Sequence, residues 1–196
     1  MTRTQIINSI AKKINAQSYL EIGTREGKNF DAINIEYKVG VDPDENSKAN
    51  FRCTSDEFFA YYNDLKFDII FIDGLHEHEQ VSRDILNSLD CLIDGGYIIC
   101  HDMNPTSELM QRVPRESKCW TGDCWKAWAD LRLFRDDLSM FVVDCDYGVG
   151  VITKGHQKCL ERPHNIQWDY NKHLAVDREE ILNLINVNQF KQWLNQ

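Results

Sequence analysis

Four short apolar runs in this 196-residue chain each end in an acid, and two of those ends also carry a histidine. The acids are Glu21 in Ser18–Ile22, Asp42 after Tyr37–Val41, Asp73 after Phe67–Ile72 and Asp102 after Gly96–Cys100. His76 follows in Asp73-Gly-Leu-His76, and His101 directly precedes Asp102. In an open α/β sheet, ligands bind just outside the carboxyl ends of the parallel strands. A row of acids along that edge suits a cationic or hydroxyl-rich ligand better than a phosphate. Histidine beside carboxylate can take a proton from a hydroxyl, or can help to hold a cation that acidifies one.

The first acid belongs to a loop, Glu21-Ile-Gly-Thr-Arg-Glu-Gly27, of the form ExGxxxG. Glycine permits close backbone approach and positive φ. Asp42 comes 19 residues after Gly23, at the end of the next apolar run, where a carboxylate can take both hydroxyls of a ribose. That spacing also fits a nicotinamide dinucleotide. However, GxGxxG is broken by Arg25, and Glu21 and Glu26 are poor neighbours for a pyrophosphate. S-adenosylmethionine carries an ammonium and a sulfonium and no phosphate, so the acids favour it. The competing reading is a loop that merely turns a strand into a helix.

These residues need elements to hold them. Ile6, Ile7, Ile10 and Ile14 mark an amphipathic helix over Thr4–Asn15. Strands are expected at Ser18–Ile22, Tyr37–Val41, Phe67–Ile72 and Tyr97–Cys100, with a short one near Asn50–Cys53. A helix starts near Lys28, another after the capping sequence Thr54-Ser-Asp, and a third spans Glu77–Ile93, closed by Gly95-Gly96. Met103–Gly122 is a long excursion, followed by a helix over Cys124–Phe134. Met140–Cys145 and Gly148–Thr153 form a hairpin, and Arg178–Leu194 a final amphipathic helix. The alternation predicts one α/β domain over residues 1–196. Its architecture is a Rossmann-like open sheet, mostly parallel with a terminal antiparallel hairpin and helices on both faces.

The formal net charge is −9, with no basic stripe for nucleic acid. No apolar stretch approaches a membrane span and the start lacks a signal-peptide core, so a cytoplasmic protein, monomeric or oligomeric, is expected. There are seven cysteines and no CxxC pair. Cys53, Cys91, Cys100 and Cys145 suit small buried hydrophobic positions, and the Cys119/Cys124 spacing is wrong for zinc. Trp125 and Trp128 have the spacing of core residues on a helix. Trp120, in the excursion, suits a lid or acceptor pocket. Arg112, Arg115 and Lys118 either meet an anionic acceptor or are solvated.

From about Tyr19 to the C-terminal helix, the chain resembles class I S-adenosylmethionine-dependent methyltransferases. It is similar in particular to the small group with Asp-Gly-x-His after strand four and His-Asp after strand five. The matching residues are Asp73-Gly-Leu-His76, His101-Asp102-Met-Asn-Pro, and the segment from Trp120 to Trp128. The resemblance implies S-adenosylmethionine as cofactor, with Glu21 and Gly23 at its methionine end and Thr24 and Gly27 shaping the loop. Asp42 would bind the ribose, Ser55 or Asp56 would meet the adenine, and Asp73 would lie beneath the methyl group. His76 or His101, with Asp102, would be catalytic.

Some relatives hold magnesium at the positions of Asp73 and Asp102, which implies a divalent metal on Asp73, His101 and Asp102. A histidine there suits a softer ion. His76 could instead cap the following helix, and His101 could simply bond to backbone. The implied activity is O-methylation of a small-molecule or glycan hydroxyl. Alternatives are a hydroxylase-like, non-methylating enzyme on the same fold, or a cofactor-binding module without catalysis.

Overall fold

The computed structural model describes residues Met1–Gln196. Seven strands form one sheet: β1 (Ser18–Ile22), β2 (Tyr37–Val41), β3 (Phe67–Ile72), β4 (Leu92–Cys100), β5 (Leu138–Val143), β6 (Val149–Lys154) and β7 (Leu184–Ile185). Their order is β2-β1-β3-β4-β6-β5-β7. The first four are parallel, β6 runs antiparallel to both β4 and β5, and β7 joins β5 in parallel. After β2 the chain crosses back over β1 to form β3. The topological switch point therefore lies between β1 and β3, where such sheets open a ligand crevice.

The register explains the unbroken apolar strands. Leu20, Ile70, Ile98 and Ile152 are successive partners across the sheet and share one core. Tyr19, Ile69, Ile99 and Val151 point into the other. Helices cover both faces, so strand residues of either parity are buried. The first face takes α3 (Ser55–Tyr61), α4 (His78–Cys91), α5 (Cys124–Phe134) and α6 (Ala175–Leu182). The second takes α1 (Arg3–Ile14), α2 (Lys28–Ala32) and α7 (Val187–Leu194). Trp125 and Trp128 are fully buried core residues, as their spacing predicts. No helix is long and apolar enough to cross a membrane.

Four expectations need correction. The segment near Asn50–Cys53 makes only a single bridge, Val41 to Phe51, and is no strand. Gly95-Gly96 does not close α4. Leu92 is already extended and pairs with Phe67, and Gly95, at φ +80°, lies in the irregularity before Tyr97 pairs with Ile69. His76 is not the cap of α4. That position is Glu77, and the His78 N–H is taken by Asp123 Oδ1 at 2.8 Å. The tail is two helices, not one. Asn183 turns left-handed at φ 46°, β7 adds to the sheet edge, and Asn186 starts α7 with a capping box.

Candidate active site

The carboxyl ends of β1 to β4 open into a cleft of about 850 Å³. Of the residues singled out by sequence, Gly23, Asp42, Ser55, Asp56, Asp73, His76, His101 and Asp102 line it. Glu21, Thr24 and Gly27 do not; they lie behind the wall. Glu21 is 1% exposed, and it accepts a bond from the Tyr19 hydroxyl and one from Asn29 Nδ2 at 3.0 Å. Burial pushes its pKa up to about 7.

One half of the cleft is built by the β1 and β2 ends. Gly23 has φ +88°, and a Cβ there would stand 2.2 Å from the Asp73 carbonyl oxygen. Only glycine lets the ends of β1 and β3 approach so closely. The loop then places Arg25 N–H 2.8 Å from Asp42 Oδ2, while Asp42 Oδ1 accepts from Asp44 N–H at 2.9 Å. Both bonds fix the carboxylate at the cleft wall. Arg25 itself sits at φ 48°, where a dinucleotide loop would have glycine. Farther along, Gln80 Nε2 bonds Ser55 Oγ and Asp56 Oδ1, each at 3.1 Å, and Asp84 Oδ1 at 3.0 Å. Sequence reasoning passed over Gln80, which is an ordinary helix residue until its neighbours are known.

The other half gathers charge at the ends of β3 and β4. His76 Nε2 lies 3.2 Å from Asp73 Oδ1, and its Nδ1 lies 3.1 Å from Asp102 Oδ2. That second contact is out of line for a hydrogen bond, so Nδ1 has no partner. His101 Nδ1 is 3.3 Å from Asp73 and 3.2 Å from Asp102, and its Nε2 is 3.6 Å from Asp146. Asp102 takes φ 62°, a left-handed conformation unusual for a residue with a side chain. His101 is therefore not a histidine that merely bonds to backbone.

Two residues absent from the sequence-based site complete this half. Arg3, at the start of α1, brings Nη1 to 2.7 Å from His101 Nε2 and Nε to 3.8 Å from Asp73. Its own N–H donates to Asp146 Oδ2 at 2.8 Å. The only sequence signal for Asp146 is the tight Asp146-Tyr147 turn of the hairpin, which topology folds back over the β4 end. Burial favours neutral forms here, but the charges override it. His101, then His76, draws Asp73 far below the usual carboxylate range. Asp73 and Asp102 raise His76 above 6.5 against its burial. At His101, Arg3 favours a neutral ring while Asp73, Asp102 and Asp146 favour a charged one. Three carboxylates within 3.6 Å outweigh one guanidinium, and the pKa rises well above 6.5.

The Met103–Gly122 excursion contains one 3-10 turn, Glu108–Gln111, and folds over the cleft. Trp120 stacks on His76 with ring centroids 5.3 Å apart and planes at 20°. Its Nε1 donates to the Arg112 carbonyl at 2.7 Å, which fixes the indole in place.

With this geometry, the comparisons with known proteins are informative. The family described as "Methyltransferase domain" matches residues 12–103, slightly under half of the chain. The fold is that of a class I methyltransferase. The O-methyltransferase TomG from Streptomyces achromogenes, solved with S-adenosylmethionine, has a TM-score of 0.60 at 12% identity, covering 78% of this chain and 79% of that one. The O-methyltransferase from Bacillus cereus, in complex with S-adenosylhomocysteine, has a TM-score of 0.54 at 16% identity and coverages of 79% and 82%. The S-adenosylhomocysteine-bound methyltransferase PaMTH1 from Podospora anserina has 0.55 at 19%, with 79% and 80%. At these identities the likeness is one of fold. No curated protein sequence matches.

Within this methyltransferase fold, Asp73, His76 and Asp102 bring one ligand atom each within 4.8 Å of one another. That set differs from the expected one, because the ring nitrogens of His101 face Arg3. In both sets two carboxylates offer oxygen and one histidine offers nitrogen, a mixture that suits a softer divalent ion better than magnesium.

Proposed function

We propose that this protein is an S-adenosylmethionine-dependent O-methyltransferase acting on a small-molecule or glycan hydroxyl, with His76 as general base. The observation that carries the reading is the pairing, in one cleft at the switch point, of a half holding Asp42 beside a loop that lacks the GxGxxG pattern with a histidine–carboxylate half. Asp42 suits a ribose, and Ser55, Asp56 and Gln80 line the stretch where an adenine would lie. Acids without a pyrophosphate-binding loop favour a cofactor bearing positive charge. The donor set thus fits S-adenosylmethionine, which would supply an electrophilic methyl group.

The remaining work falls to this chain. Alignment of acceptor oxygen with the methyl carbon is the larger contribution, up to ~7–11 kcal/mol. The excursion, with Trp120 fixed against the wall, is suited to hold the acceptor and exclude water. The His76 side chain lines the cleft and is still 20% exposed, whereas that of His101 is 4% exposed. The His76 ring is therefore the group we assign to take the acceptor's proton, with Asp73 and Asp102 stabilising the imidazolium. His101 and Arg3 position those carboxylates. No step is assigned to a metal.

The test is to incubate the protein with S-adenosylmethionine and a panel of hydroxyl compounds, and to measure S-adenosylhomocysteine. Turnover that survives exhaustive chelation, and falls ~10²–10⁴-fold in His76→Ala, is expected. Tight cofactor binding with no product from any acceptor would favour a binding module instead. Loss of activity on chelation, restored by a divalent ion, would return the metal to the site.

A further inference from the structure

The lid over the cleft carries two cations without carboxylate partners, and this bears on the acceptor. Residues 103–122 contain three cations, Arg112, Arg115 and Lys118, and two acids, Glu108 and Glu116. Both acids are taken by Arg112, at 2.8 Å and 2.6 Å, and Arg112 lies off the cleft wall. Arg115 and Lys118 line the cleft and have no carboxylate partner, in a chain of net charge −9.

Arg115 is also held in place. Its Nε donates to the Ser117 carbonyl at 2.8 Å and one Nη2 hydrogen to the Lys118 carbonyl at 2.6 Å. Its guanidinium lies 5.8 Å from the Trp120 ring centroid. One edge of the fork is spent on the loop's own backbone, and Nη1 remains without a protein partner. A fixed guanidinium with a free edge is suited to a carboxylate or a phosphoryl group. The same cleft is lined by Leu75, 51% exposed, and Tyr147, 45% exposed, which offer apolar surface to a flat or ring-shaped body.

We infer that the acceptor is an anionic hydroxyl compound, whose carboxylate or phosphoryl group is anchored by Arg115 and Lys118 while its hydroxyl reaches His76. The inference rests on the methyl-transfer reading for the hydroxyl's fate, but the anion site stands on the lid geometry alone.

Calorimetric titration tests this with three probes that share a hydroxyl ring: hydroxybenzoate, hydroxyphenyl phosphate and neutral hydroxybenzamide. Each is titrated with and without S-adenosylhomocysteine. At least one anion should bind about tenfold tighter than the amide, the upper range of two exposed ion pairs. The anion that does so identifies carboxylate or phosphoryl as the anchored group. The double variant Arg115→Gln, Lys118→Gln should erase the preference while keeping the affinity for S-adenosylhomocysteine, which also reports that it is folded. Equal binding of all three probes, absence of anion binding, or a preference intact in the double variant overturns the inference. Failure to bind S-adenosylhomocysteine counts against methyl transfer and leaves the anion titration readable.

Discussion

Glu21 and Asp42 end adjacent strands, yet the fold gives them different surroundings. Asp42 lines the cleft and has two backbone donors. Glu21 is enclosed with Tyr19 and Asn29 and holds its proton up to about pH 7. An acid whose folded pKa is raised stabilises the fold only while protonated. Its contribution is complete below about 4.5 and is lost as pH rises through about 7. Glu21→Gln removes the titration and keeps an acceptor for Tyr19. Between pH 5 and pH 8 the variant should gain on the parent protein, by at most roughly 3 kcal/mol. Denaturant midpoints read this directly, and a pH-independent difference between the two proteins would refute it. His76 gives the complementary case in activity. Its raised pKa means that the base is freed only as pH climbs above 6.5, so turnover should rise through a midpoint above that value. Asp102→Asn removes one of the charges that raise it and should move the rising limb to lower pH. An unmoved limb would exclude His76 as the titrating group. Residue types announced the carboxylates and histidines. Their protonation did not show in sequence, because it depends on which neighbours a closed fold supplies.

At the scale of elements, continuous apolar runs were the readable part, since a strand covered on both faces has no polar alternation to confuse. The ends were less readable. Gly95-Gly96 looks like a helix stop, yet pairing of Leu92 with Phe67 extends β4 backward and makes those glycines an irregularity within it. Likewise, the apolar residues from Arg178 to Leu194 suit one amphipathic helix. The break at Asn183 forms because β7 finds partners Val142 and Val143 at the sheet edge, a gain that local sequence does not display. Asn186 was the available signal. Its side chain accepts from Asn188 and Gln189 N–H groups, and Gln189 returns a bond to the Asn186 backbone. Asn186→Ala should cost about 1 kcal/mol of stability, the usual contribution of a helix N-cap. Urea unfolding would show it, and a neutral substitution would mean that packing of Phe190 and Trp193 alone starts α7.

At the scale of the whole molecule, the site draws on segments that are far apart in sequence. Arg3 and Asp146 meet across the sheet at His101, although 143 positions separate them. Sequence spacing could find the ExGxxxG loop, which is local, and the motif after β3, which is also local. It could not find a partnership made by folding the start of the chain and the β5–β6 turn onto one sheet edge. The same global view sets an expectation for binding. A net charge of −9 surrounds the cleft, so a cationic cofactor would be attracted by the field of the whole chain. S-adenosylmethionine carries a net positive charge, and S-adenosylhomocysteine lacks the sulfonium. Raising salt from about 0.05 M to about 0.5 M shortens the screening length several-fold. Affinity for S-adenosylmethionine should fall severalfold over that range, while that for S-adenosylhomocysteine stays nearly constant. Calorimetry on the two ligands separates the outcomes. A parallel decline would show that salt acts on the protein's shape, and an absence of decline that the cations lining the cleft cancel the field of the chain there.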